Sequence, residues 1–221
     1  MTDWIIDSII FKHPFTCCIA GPTGAAKTVL LQKILINKKN IFDIQPDRIV
    51  VCYKSWQQAY EVFALLDTPV EFVEGLIDVQ NFDKTKNNLL IIDDLMTECK
   101  DNKDIATLFS VHSHHKNISV FLITQNIFMQ GDCARDINLN STNLIIFNNP
   151  RDRQQIRVLG QQMYPKKTSG FMEIFDDAIK LHDGHGYLFL DFKQQTQYRM
   201  RIQTGIIPDE ERIIYTIKDI F

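Results

Sequence analysis

The segment Gly21-Pro22-Thr23-Gly24-Ala25-Ala26-Lys27-Thr28 follows directly on the apolar run Phe15-Thr16-Cys17-Cys18-Ile19-Ala20. A strand that breaks into a turn of small residues and then reaches Lys-Thr is suited to holding phosphate. Backbone N–H groups of such a turn point inward, and the helix that starts behind it adds the positive end of its dipole. The pattern asks for a glycine, four free positions, a second glycine, a lysine and a hydroxyl residue. The candidate nucleotide-binding residues are therefore Gly21, Pro22, Thr23, Gly24, Ala25, Ala26, Lys27, Thr28 and Val29. Lys27 is expected to reach the β- and γ-phosphates, and the Thr28 hydroxyl to sit on Mg²⁺. Ala26 stands where the second glycine belongs. Its methyl group adds bulk at a close approach and restricts φ, which points to weakened rather than lost nucleotide binding.

A second acidic element follows. Leu89-Leu90-Ile91-Ile92 runs into Asp93-Asp94. Four apolar residues without alternation indicate a strand buried on both faces. Acids at its carboxyl end lie at the ligand crevice of an open α/β sheet. Asp93 is expected to hold Mg²⁺, partly through water. Asp94 is expected to orient and polarise the attacking water; it is shorter than the Glu that many such sites carry. Ile118-Ser119-Val120-Phe121-Leu122-Ile123-Thr124 is another buried strand, ending in Gln125-Asn126. A polar side chain at that edge can touch both the γ-phosphate and the water, and so respond to the state of the nucleotide. Gln125 is the first choice for this role and Asn126 the second.

The elements that must position these residues follow from periodicity. A helix is expected from the loop to about Asn37. A strand of β-branched residues covers Asp47–Tyr53, a helix Trp56–Leu66, a short extended piece Val70–Val73, a helix Asp104–His115 capped by Asp101 or Asn102, and a fifth strand Asn143–Phe147. Strands alternating with helices up to about residue 150 argue for a mostly parallel sheet covered by helices. Beyond it, Arg151–Met163 and Ser169–Leu181 read as helices, Gly186–Asp191 and Tyr198–Ile202 as an antiparallel hairpin, and 208–221 as a tail. The fold class is α/β: a P-loop NTPase with helices flanking the central sheet and antiparallel strands added near the C-terminus. Residues 1–221 form a single such domain in this reading, its core about 15–150 and its C-terminal helices and hairpin 151–207.

Composition bounds the alternatives. A chain of 221 residues with 45% hydrophobic and 23% charged content is that of an ordinary globular protein. Its formal net charge of −3 argues against a passive nucleic-acid coat, though not against local basic loops. Cysteines 17, 18, 52, 99 and 133 are odd in number and suggest a reduced compartment. No basic leader precedes an apolar stretch and no run of about 18 apolar residues is present, so neither a signal peptide nor a membrane segment is expected. His112, His114 and His115 with Cys99 and Cys133 match no zinc spacing. Lys84–Lys86, Lys100–Lys103 and Lys166–Lys167 read as solvated surface, and as DNA-facing only where several subunits align them.

These motifs, together with a longer block, resemble the FtsK–HerA superfamily of ring-forming motors. The likeness is nearest to the genome-packaging ATPases of double-stranded DNA viruses of the poxvirus, virophage and Polinton–adintovirus type. The block runs through Ser113-His114-His115-Lys116-Asn117-Ile118-Ser119-Val120, Ile123-Thr124-Gln125-Asn126-Ile127-Phe128 and Phe147-Asn148-Asn149-Pro150-Arg151-Asp152, then Gln161-Gln162-Met163-Tyr164-Pro165 and Gly186-Tyr187-Leu188. The resemblance implies an ATP- and Mg²⁺-dependent translocase that pumps double-stranded DNA into a capsid. It also implies a homo-oligomeric ring (pentamer or hexamer), a capsid or vertex protein as partner, and an intracellular or virion-associated setting. A neighbouring subunit is expected to complete the site with an arginine that neutralises transition-state charge. The stretch where related motors carry it, Val111–Lys116, holds no arginine. Arg135 and Arg151 are the favoured substitutes, ahead of Arg153 and Arg157; Lys116 offers only a point charge. Two other readings stay open: a related DNA-remodelling motor, and an ATP-binding assembly or scaffold subunit that hydrolyses little.

Overall fold

The computed structural model describes residues 9–109, 116–181 and 185–217. His112, His114, His115 and residues 182–184 lie outside them. One nine-stranded sheet organises the described residues, in the order β3-β2-β4-β5-β1-β6-β7-β8-β9. Its strands are β1 (Thr16–Ala20), β2 (Arg48–Tyr53), β3 (Val70–Glu74), β4 (Asn88–Asp93), β5 (Ile118–Thr124), β6 (Asn143–Phe147), β7 (Tyr187–Asp191), β8 (Ile202–Thr204) and β9 (Ile213–Tyr215). The first six are parallel, and β7, β8 and β9 join antiparallel.

The central strands are buried along their whole length, as their unbroken apolar runs predict. Successive residues then serve opposite layers. Leu89 and Ile91 join Leu31, Ile34 and Leu35 of helix α1 (Lys27–Ile36), whereas Leu90 and Ile92 join the other face. That second face is covered by α3 (Met96–Cys99), α4 (Lys103–Leu108), α5 (Ala134–Asn140), α6 (Gln154–Met163) and α7 (Thr168–Ala178), while the short α2 (Lys38–Ile41) follows α1. The α1 side also holds an aromatic cluster in which Phe11, Phe15, Phe42 and Phe121 meet with ring centroids 4.8–6.4 Å apart. Burying each such ring contributes about 1.5–3 kcal/mol to the layer beneath the site. No helix among the described residues is long and apolar enough to cross a membrane.

The structure differs from the sequence expectations in three elements. Gln58–Leu65 is a 3-10 helix rather than an α-helix. Its buried residues, Tyr60 and Phe63, are three apart, the spacing that a three-residue turn eclipses on one side. The partner of β7 is Ile202–Thr204; Tyr198–Met200 forms a 3-10 turn instead of the start of a strand. The alternation around Tyr198 is an exposed one, and the buried run begins only at Ile202. The segment expected as a tail supplies β9, paired through Gln203↔Ile214. Asn102 rather than Asp101 caps α4, its Oδ1 accepting from Ile105 N at 3.0 Å.

Candidate active site

Sheet order brings the motifs together. β5 lies between β1 and β4, with Ala20 paired to Thr124 and Ile123 paired to Asp93. The loop after β1, the acids after β4 and Gln125 after β5 therefore leave the same carboxyl edge side by side. Gly21 N donates to Thr124 O at 3.2 Å, tying the loop to that edge. A cleft of about 660 Å³ opens there, lined by Thr23 to Val29, Asp93, Asp94 and Gln125.

The loop geometry shows why small residues are required. A side chain on Gly21 would place its Cβ 2.7 Å from Phe147 Cβ of β6. Gly24 has φ +81, a left-handed conformation. Ala26 is also left-handed (φ 67, ψ 22) at the position preceding α1. Helix α1 has neither a side-chain cap nor an acidic residue in its first turn, so no side chain at its own start satisfies its leading N–H groups.

Ala26 thus takes the conformation for which the loop pattern calls for glycine, at a cost of about 1–2 kcal/mol. Ala26→Gly removes that cost and restores about 0.4–1 kcal/mol of unfolded-chain entropy. The net stabilisation is on the order of 0.5–1 kcal/mol, which raises Tm by about 1–4 °C for a chain of this size. Calorimetry checks it; a lowered Tm would show that the Ala26 backbone carries no strain.

Lys27 Nζ donates to Gly21 O (2.6 Å) and Pro22 O (2.8 Å), so the ammonium folds back over its own loop. Burial lowers its pKa, and the neighbouring charges of Asp93 and Asp94 oppose that shift. Asp93 is buried, and burial raises its pKa; the Tyr60 hydroxyl lowers it, Asp94 raises it and Lys27 lowers it. Its Oδ2 accepts from Tyr60 OH at 2.7 Å and from Gln57 Nε2 at 3.3 Å. Asp94 is exposed, at φ +56, and Gln125 Nε2 lies 3.4 Å from its Oδ1. A buried carboxylate with one oxygen engaged, beside the Thr28-lined cleft and an exposed second acid, is a donor set that fits a hard divalent cation held through oxygen. Among the described residues no group of three or more His, Cys, Asp or Glu is placed to hold a metal ion.

The structure brings together Lys27, Thr28, Asp93, Asp94, Gln125 and the loop. Arg135 and Arg151 are not part of the cleft lining; both are exposed, Arg135 on α5 and Arg151 in the turn before α6. Arg153 is engaged by Asp176 and lies 5.6 Å from the centroid of the Phe175 ring, so its charge is committed to α7. Sequence reasoning missed Gln57, Tyr60, Lys33 and Glu210. Lys33 lies one turn beyond Val29 on the same face of α1, a spacing that could have flagged it. Glu210 accepts from Lys33 Nζ (3.1 Å) and Tyr187 OH (2.5 Å), closing the far side of the cleft. No local signal marks it.

Neither a family model nor a curated protein matches the chain. Solved structures do. The genome packaging NTPase B204 from Sulfolobus turreted icosahedral virus 2, in complex with AMP, matches with a TM-score of 0.58 at 14% identity, over 86% of this chain and 96% of that one. Its complex with ATP-gammaS gives 0.56 at 14% identity, over the same shares of the two chains. B204, the DNA-packaging ATPase from Sulfolobus turreted icosahedral virus, gives 0.55 at 15% identity over 87% of this chain and 97% of that one. This chain has the P-loop NTPase fold. Identity this low establishes the likeness as one of fold. It also accounts for the edge at which the motifs meet, since in a P-loop NTPase the phosphate loop and the acidic strand both open onto the carboxyl side of the sheet.

Proposed function

We propose that the protein is an ATP-hydrolysing motor that drives double-stranded DNA into a viral or virus-like capsid as a homo-oligomeric ring. The observation that carries the reading is the convergence of Lys27, Asp93, Asp94 and Gln125 on one cleft beside the loop. The loop N–H groups and Lys27 bind and orient the triphosphate, for which Lys27 leaves its carbonyl partners. Thr28 and Asp93 would hold Mg²⁺, which would supply neutralisation of the phosphate charge. Asp94 takes the proton of the attacking water, and Gln125 positions that water between Asp94 and the γ-phosphate.

Gln125 is connected to the opposite layer. On α6, Gln155 Oε1 accepts from Ile127 N (2.7 Å) and Phe128 N (3.3 Å), and its amide donates to Asn126 Oδ1 and Asp152 Oδ2. Loss of the γ-phosphate contact at Gln125 is thereby felt at α6 and by the turn carrying Arg151. The exposure of Arg135 and Arg151 supports, for each, a role at a neighbouring subunit's site, where an arginine is worth about 10³-fold or more in rate.

The test is steady-state phosphate release with and without double-stranded DNA, combined with native mass. The expected outcome is turnover stimulated by DNA at least several-fold, in a species whose mass is a multiple of 25.7 kDa. Nucleotide binding without measurable turnover, with or without DNA, would favour the assembly-subunit reading. The strained Ala26 is the observation that keeps that reading in view.

A further inference from the structure

Asp93 is held by a segment that no nucleotide-binding motif marks. β2 is paired to β4 with Tyr53 opposite Asp93, so the chain leaving β2 must pass over the Asp93 carboxylate. That chain is the 3-10 helix Gln58–Leu65 and the residues just before it. Tyr60 is 1% exposed, and its ring is confined on several sides. It stacks on Phe63 at 5.9 Å, meets Trp56 edge-on at 5.6 Å, and lies 5.7 Å from Tyr53 and 6.3 Å from Phe72. Gln32 Nε2 of α1 donates to Ala59 O at 2.6 Å, so the segment is also fastened to the phosphate-loop helix.

We infer that Tyr60, aided by Gln57, is a positioning residue that fixes the rotamer of Asp93 and thereby presents its other oxygen to the cation. Both donors engage the same carboxylate oxygen, Oδ2, at 2.7 and 3.3 Å. A carboxylate held at one oxygen by a rigid phenol cannot turn about its Cβ–Cγ bond without breaking a charge-assisted hydrogen bond. Its Oδ1 is left as the oxygen for the cleft. Hydrogen bonds to metal-ligating carboxylates orient the ligand and typically set metal affinity by about 10–100-fold. The Ala59 link adds a second effect: the distance between the Asp93 carboxylate and the start of α1, where Thr28 stands, is braced by one short segment. Thr28 and Asp93 are the two residues that the proposed function assigns to Mg²⁺, and the inference rests on that assignment.

The experiment titrates Mg²⁺ into the full chain with a non-hydrolysable ATP analogue and follows nucleotide affinity by calorimetry, with a parallel series in chelator. In Tyr60→Phe the ring packing stays and the hydroxyl goes. The Mg²⁺ concentration that half-restores tight binding is expected to rise about 10-fold or more, while affinity in chelator stays within a factor of two. Gln57→Leu, which loses the longer bond, is expected to move the midpoint in the same direction by a smaller factor. An unmoved midpoint in Tyr60→Phe overturns the inference, as does an equal loss of affinity with and without Mg²⁺, because a merely structural role predicts that outcome. If the unaltered protein binds the analogue with no Mg²⁺ dependence at all, the metal assignment itself fails along with the inference, a result distinct from either variant outcome.

Discussion

Lys27→Ala lowers ATP turnover by about 10²–10³-fold, the scale of removing one preorganised donor from a developing anion. In the structure the ammonium is already at the loop, within 2.6 and 2.8 Å of two carbonyl oxygens, so it needs only a rotamer change to reach a bound phosphate. Burial favours its neutral form, and Asp93 and Asp94 favour the cation. Alanine leaves the loop carbonyls free to face water, so the cost to folding is small, about 1 kcal/mol or less. Lys27→Arg is not expected to rescue, because the planar fork is too broad for a position that now takes a compact point charge. Phosphate-release kinetics and a urea melt on the same preparations check both halves. Turnover within threefold of the unaltered protein would remove this cleft from the chemistry altogether.

Much of that site was legible in the residues because each part is a local pattern. The strand, turn and helix from Phe15 onward carry their own signature, and the buried runs ending in Asp93-Asp94 and in Gln125 announce their carboxyl ends by the change from apolar to polar. Five of the six parallel strands follow from such runs, whereas β3, which is not buried along its length, reads only as a short strand or extended loop. What was not legible depends on pairings between distant segments. Tyr60 touches Asp93 only because β2 lies beside β4, an order that no local spacing encodes. That its helix is a 3-10 one is not legible, because a short apolar window of Tyr, Phe and Leu fits both helical periods. Glu210 reaches Lys33 because the connection between β8 and β9 comes back against α1. The alternation that suggested a strand at Tyr198 was a surface alternation, and burial alone separates the two cases. The roles proposed for Arg135 and Arg151 would need a second copy of the chain, which periodicity in one chain does not describe.

Asp94→Asn is expected to lower kcat by about 10²–10⁴-fold, the usual worth of a positioned general base, and to leave nucleotide affinity equal or tighter. The backbone makes this the clean substitution. Asp94 sits at φ +56, and asparagine is one of the few residues that accepts the left-handed region without strain. The neighbouring contact survives as well, since the amide oxygen can still accept from Gln125 Nε2, now 3.4 Å away. Only the charge and the basic lone pair are lost. Removing an anion beside the γ-phosphate relieves repulsion with the triphosphate, and it also withdraws a charge that adds to the effect of burial in raising the pKa of Asp93. The relief of repulsion is expected to outweigh the lost support of Asp94 for the Lys27 cation, so binding holds or tightens. Asp94→Glu tests the geometry from the other side. It keeps the carboxylate but adds a methylene at a left-handed position that costs an ordinary side chain about 1–2 kcal/mol, so partial activity with a lowered Tm is the expected result. Single-turnover kinetics separate the two effects: the asparagine variant binds ATP and stalls before cleavage, whereas the glutamate variant cleaves slowly. If the asparagine variant instead loses affinity while cleaving what it binds at the normal rate, Asp94 shapes the loop and some other group handles the water.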